Sequence, residues 1–157
     1  MSTRNILLVL CTTAVLIFSG FKKQQDCDPL TSQQLKTTLT DLGYTVSNIE
    51  TNTSIPKYSI TVTTGGLNIP IAAEVSASTR YIWLTVYLGK ADETNGTKNF
   101  GLLKQNGSIL PCQFYVTKSG NIMMGLPVEN RGVTSTILKD KIDFISARVG
   151  DTKSDWQ

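Results

Sequence analysis

The stretch FGLLKQNGSILPCQFYVTKSGNIMMGLPVENRGVTSTILKDKIDFI, residues 100 to 145, decides the fold. It spells a helix, a hairpin and a second helix in order. A short apolar helix over residues 100 to 105 closes at Asn106-Gly107. A strand then alternates through Cys112, Phe114 and Val116, and Lys118-Ser119-Gly120 turns the chain. The return strand runs to Leu126-Pro127. The last helix starts at Thr134 and places Leu138, Ile142, Ile145 and Val149 on one stripe.

Upstream, Thr31 and Gln34 form a T-x-x-Q capping box, with Leu30 and Leu35 as its hydrophobic staple. Leu35, Leu39 and Leu42 share one helical face, and Gly43 stops the helix. Residues 44 to 56 are polar and read as a short strand or an irregular connection. Three strands follow. Tyr58 to Val62 leads into the hairpin signal Thr64-Gly65-Gly66. Leu67, Ile69, Ile71, Ala73 and Val75 alternate through the second strand, where Pro70 points outward and argues for an edge or a bulge. The third strand, YIWLTVYL from Tyr81 to Leu88, is the strongest. Ile82, Leu84, Val86 and Leu88 form an aliphatic face; Tyr81, Trp83, Thr85 and Tyr87 form the other. Asn95-Gly96 reads as the tip of a polar loop.

These elements predict an α+β domain in the order α-β-β-β-α-β-β-α, an antiparallel five-stranded sheet with helices packed on one face. That arrangement leaves Tyr81, Trp83 and Tyr87, with Tyr115 and Met123 of the hairpin, on the opposite face as candidate partner-binding residues. The alternatives are coverage of this face by the chain's own residues 44 to 56 or 89 to 99, or a homodimer contact.

Residues 1 to 20 read as a secretory signal peptide: Arg4, then an apolar run from Ile6 to Phe18, then Ser19 or Gly20 before a cut, with cleavage after Ser19 preferred. A membrane anchor is the alternative, but this run falls short of the roughly 20 apolar residues of a span. Cys11 lacks the small preceding residue of a lipoprotein signal. Residues 21 to 29 form a tail, 30 to 150 one domain, and 151 to 157 a C-terminus expected to fray. Losing Arg4 leaves 14 of the 15 basic side chains against 12 acidic ones, a balance that gives no reason to expect nucleic acid or an anionic membrane surface as partner. Two cysteines survive processing. Cys27 and Cys112 are a candidate disulfide in an oxidising compartment; a buried free Cys112 with an exposed Cys27 is the alternative.

The chain has no histidine. Ser-His-Asp and Cys-His catalysis and His-bearing zinc sites are therefore excluded, and no P-loop or dinucleotide fingerprint is present. Neither a catalytic residue nor a metal ligand is assigned, and no cofactor is expected. Asp92-Glu93, the Asp140 and Asp143 pair beside Lys139 and Lys141, and Glu74 are the carboxylates that a hydrolase would have to use. Solvated ion pairs are the simpler reading of the helical ones. Sequons occur at Asn52, Asn95 and Asn106, where loop and cap roles are the alternative to glycans.

The element order, with LLKQNGSILPCQFYV followed by SGNIMMGLPVEN and a closing helix, resembles the type III secretion chaperone-like family, which includes the Tir chaperones and the YbjN-like proteins. Leu102, Leu103, Asn106, Phe114, Val116, Gly120 and Pro127 carry the likeness, which spans residues 30 to 149. The resemblance implies a non-enzymatic, chaperone-like domain that holds an extended peptide or protein segment, often as a dimer. Those secretion chaperones are cytosolic and often acidic, whereas this chain reads as exported to a bacterial periplasm or beyond.

Overall fold

Alternation in the central strands places one residue in two under the helices and the other on the opposite side. In a computed structural model, residues 28–49, 54–92 and 94–157 are described. The elements run α1 (Ser32–Asp41), β1 (Ser47–Ile49), β2 (Lys57–Thr64), β3 (Leu67–Val75), β4 (Tyr81–Lys90), α2 (Gly96–Gln105), β5 (Gln113–Val116), β6 (Asn121–Glu129), α3 (Ser135–Asp151) and α4 (Lys153–Trp156). The fold is α+β. Its antiparallel sheet has six strands in the order β1-β2-β3-β4-β6-β5, so it stays open, with β1 and β5 at its edges.

Both helix starts are capped as the sequence predicts. Thr31 Oγ1 accepts from Gln34 N–H while the Gln34 side chain accepts from Thr31 N–H, and Thr134 caps α3 through Ile137 N–H. Leu35 and Leu39 of α1, and Leu138, Ile142, Ile145 and Val149 of α3, bury their stripe against Tyr58, Ile60, Ile71, Ala73, Ile82, Leu84, Met124 and Leu126 of the sheet. Gly65 and Gly66 both take positive φ in a two-residue β2–β3 loop, the conformation that matches the strand twist.

Four expectations need correction. The sheet has six strands, not five, because Ser47–Ile49 pairs with Lys57–Ser59 and turns part of the 44–56 connection into an edge strand. Helix α2 begins at Gly96, ahead of the expected start at residue 100. Asn95 is its N-cap, accepting from Lys98 N–H, rather than a loop tip. Pro70 lies in an interior strand; the β3–β4 ladder stops at the Ala72–Thr85 pair, two residues short of it. The C-terminus does not fray in the structure. Helix α3 runs on to Asp151, and α4 brings Trp156 against the core with its Nε1–H donating to Val149 O.

One clamp escaped the sequence reading. Asn130 is completely buried; its Oδ1 accepts from Leu30 N–H, its Nδ2 donates to Leu30 O and Thr79 O, and its own N–H donates to Arg80 O. It fastens the entry to α1 onto the β3–β4 turn. No described helix is long and apolar enough to cross a membrane. The expected signal segment, Cys27 and the sequon at Asn52 lie outside the described residues.

Candidate functional site

The side of the sheet away from α1 and α3 is ordered by cross-strand register. One row runs Lys57, Glu74, Trp83, Pro127; the next runs Ser59, Ala72, Thr85, Gly125, Gln113; a third joins Tyr87, Met123 and Tyr115. Tyr81 stands beyond the first row, opposite Glu129, with its ring centroid 6.5 Å from that of Trp83. The five residues singled out from sequence therefore share one face. Tyr81, Tyr87 and Tyr115 are 40%, 53% and 36% exposed, while Trp83 and Met123 are half-buried among them.

Between the rows lies an open groove of about 400 Å³, walled by Trp83, Tyr115 and Met123 and by the Lys57–Glu74 pair, with Thr85 in its floor. Tyr81 and Tyr87 flank the groove without lining it. Neither do the described parts of residues 44 to 56 and 89 to 99, the two segments that could have covered the face. Lys57 Nζ sits 3.4 Å from Glu74 Oε1, so this mid-strand carboxylate is ion-paired. Burial, and then the Glu74 charge, push the Tyr115 phenol above its ordinary value, so it stays protonated near neutral pH.

Two residues outside the candidate set shape the groove. Gly125 has no side chain, and a Cβ there would stand 3.0 Å from Tyr115 Cε1; the tyrosine ring occupies the space beside this glycine. A glycine inside an apolar strand is the signal that could have flagged it. Thr85 is only 6% exposed, and its Oγ1 is buried without a hydrogen-bond partner. The groove thus combines apolar walls, one ion pair and one unpaired hydroxyl, a surface suited to binding and without a facing pair of free carboxylates.

A second apolar region lies at the β5 edge. Leu102, Leu103, Phe114, Val116 and Ile122 line a pocket of about 220 Å³ beside α2. Asn106, the C-cap of α2, donates from Nδ2 to Phe114 O and accepts Phe114 N–H at Oδ1, 2.6 Å away. That reciprocal pair occupies both backbone groups of Phe114 on the free side of the edge strand and gives Asn106 a structural role.

The remaining candidate chemistry is scattered. Cys112 is fully buried, and burial pushes its thiol up to about 11, which keeps it protonated and unreactive. Its suggested partner Cys27 is outside the described residues, and Cys112 has no disulfide partner among them. Asp92 accepts from the Thr94 N–H and hydroxyl, which hold its carboxyl below the usual range; Glu93 is not described. Asp143 pairs with Lys139 on the surface of α3 at 2.6 Å, as helix spacing predicts. Among the described residues no group of three or more carboxylates and thiols is placed to hold a metal. No protein-family model matches the chain, and no curated protein matches it.

Proposed function

We propose that this chain is an exported, non-enzymatic binding domain that holds an extended segment of a protein or peptide against its helix-free sheet face. The observation that carries this reading is the groove walled by Trp83, Tyr115 and Met123 and flanked by Tyr81 and Tyr87. Large amphipathic rings left open beside a concave, mostly apolar surface are the usual anchors of protein interfaces. An extended segment suits the shape, because the groove lies open across neighbouring strands rather than entering a deep cavity. The order of helices and strands departs from the expected one by the edge strand β1 and the short closing helix α4, and the resemblance to the secretion chaperones stays part of this proposal. A peptide-holding role, with a homodimer as one way of using the same face, accords with it.

The test is capture of partners by the chain from Gly20 onward, with crosslinking, from an envelope extract. Wild type is compared with Trp83→Ala and with Tyr87→Ala, the latter a position too exposed to matter for folding. Loss of the captured segment in both variants, by about tenfold or more in affinity, is expected of anchor residues. If both variants keep every association and the same oligomeric state as wild type, the reading fails.

A further inference from the structure

The edge of the sheet beside α2 carries an apolar surface whose pocket shares only Tyr115 with the aromatic groove. Phe100, Leu103, Leu110 and Val116 are 53% to 69% exposed there. Phe100, Leu103 and Lys104 stand three and four residues apart, which puts them on one face of α2, and Lys104 Nζ lies 4.7 Å from the Phe100 ring centroid. Leu103 and Val116 both line the 220 Å³ apolar pocket. Apolar side chains this exposed, on one helix and the strand beside it, mark a contact surface.

The charge around them is one-sided. Residues 94 to 128 contain Lys98, Lys104 and Lys118 and neither Asp nor Glu, although the whole chain is close to balance. Lys98 Nζ is engaged with Gln157 O, while Lys104 and Lys118 are exposed. The carboxylates flanking this stretch are Asp92 and Glu93 before it and Glu129 after it, and Asp155 belongs to α4, which packs on α2. Asp92 is occupied by Thr94.

We propose that this edge docks peripherally on an anionic lipid surface. Phe100 and Leu103 enter the boundary between headgroups and acyl chains, Val116 and the pocket behind it meet acyl carbons, and Lys104 and Lys118 sit over lipid phosphates. A helix with exposed apolar residues, lysines and no acid of its own is the pattern of an interfacial helix. The protein alternative, strand addition to β5, is blocked at its centre because Asn106 already takes both backbone groups of Phe114. With only ten residues in α2, the docking is weak and reversible.

The experiment is vesicle flotation of the chain from Gly20 onward, which omits the apolar leader. Every described core residue lies between Leu30 and Trp156, so this chain keeps its whole core. Phosphatidylcholine vesicles are compared with vesicles that also contain phosphatidylglycerol. Binding is expected only to the anionic vesicles, with added amide-exchange protection over residues 96 to 116. Lys104→Gln should lower partitioning about fivefold. Phe100→Ser with Leu103→Ser should lower it about a hundredfold. All three substitutions are at exposed positions, and an unchanged melting curve checks the fold. Binding to neither vesicle, or equal binding to both, overturns the proposal. So does lipid-independent self-association that the double substitution abolishes, because it assigns the face to a second copy of the chain.

Discussion

The two faces of β4 differ little in apolar content and greatly in fate. Ile82, Leu84 and Val86 are buried almost without remainder, whereas Tyr81 and Tyr87, on the same ten-residue strand, are half open. Hydrophobicity alone did not sort them. The aliphatic side meets the stripes of α1 and α3, and most of the ring-bearing side borders the open groove. Thr85 sharpens the contrast. It shares the open side with the rings, yet it is buried, because it stands mid-sheet between Ala72 and Gly125 with Tyr115 spread beside it. One strand therefore holds the domain together with one set of side chains and offers a surface with the other.

The strongest way to break this comparison is Leu84→Ala. Leu84 is fully buried between Ala73 and Leu126 in the middle of the sheet, and truncation should cost about 2 to 5 kcal/mol in chemical denaturation. A loss no larger than that of an exposed residue would mean that the helices do not pack as described. Asn130→Ala follows at about 3 kcal/mol, since it strips partners from Leu30 N–H, Leu30 O and Thr79 O at a buried position. It should also loosen α1, visible as faster amide exchange in that helix.

Cys112 tests the packed side through pH. The unfolded thiol titrates near 9.0 and the folded one at about 11. Between those values the unfolded state has lost a proton that the folded state keeps, so stability falls as pH rises. The contribution is intact below pH 9 and is lost by pH 11, amounting to about 2 to 3 kcal/mol. Denaturation of wild type and Cys112→Ala across that window measures it; the variant should lose this part of the slope. A folded protein whose thiol reacts readily at pH 8 would contradict the burial.

Much of the packed side was legible because it obeys periodicity. The T-x-x-Q cap, the Leu35–Leu39 and Leu138–Val149 stripes and the Gly65-Gly66 turn are local signals, and the structure keeps them. The features that escaped depend on partners distant in sequence. Asn130 bonds a residue one hundred positions away, and Gly125 matters only because the Tyr115 ring occupies the space beside it. Ser47–Ile49 is too short to announce itself as a strand until Lys57–Ser59 offers a pairing edge. The five aromatic and methionine residues were legible as a set because alternation assigns faces, but the groove between them needed the register. The near-neutral total charge likewise hid the acid-free stretch around α2, since a sum over the chain carries no positions.

Smaller effects probe the open side. Gly125→Ala puts a Cβ 3.0 Å from Tyr115 Cε1, and the ring must give by a few tenths of an ångström. The stability change should be about 1 kcal/mol or less, because the clash falls on a movable side chain. The phenol should respond in the same sense. Burial is the main reason that Tyr115 titrates high, so any solvent that the shifted ring admits should lower it in the direction of 10.0, which tyrosine absorbance against pH can follow.

Tyr87→Ala should be the mildest of the series for folding, about 0.5 kcal/mol or less, since the ring is more than half in solvent. Set beside Leu84→Ala, three positions away on the same strand, it divides the two roles of β4 experimentally. If the open face is a binding surface, Tyr87→Ala lowers association while leaving the denaturation midpoint in place, and Leu84→Ala moves the midpoint first. Should Tyr87→Ala instead destabilise the chain as much as a core truncation, the ring must be covered in solution. The face would then belong to the protein's own packing rather than to a partner.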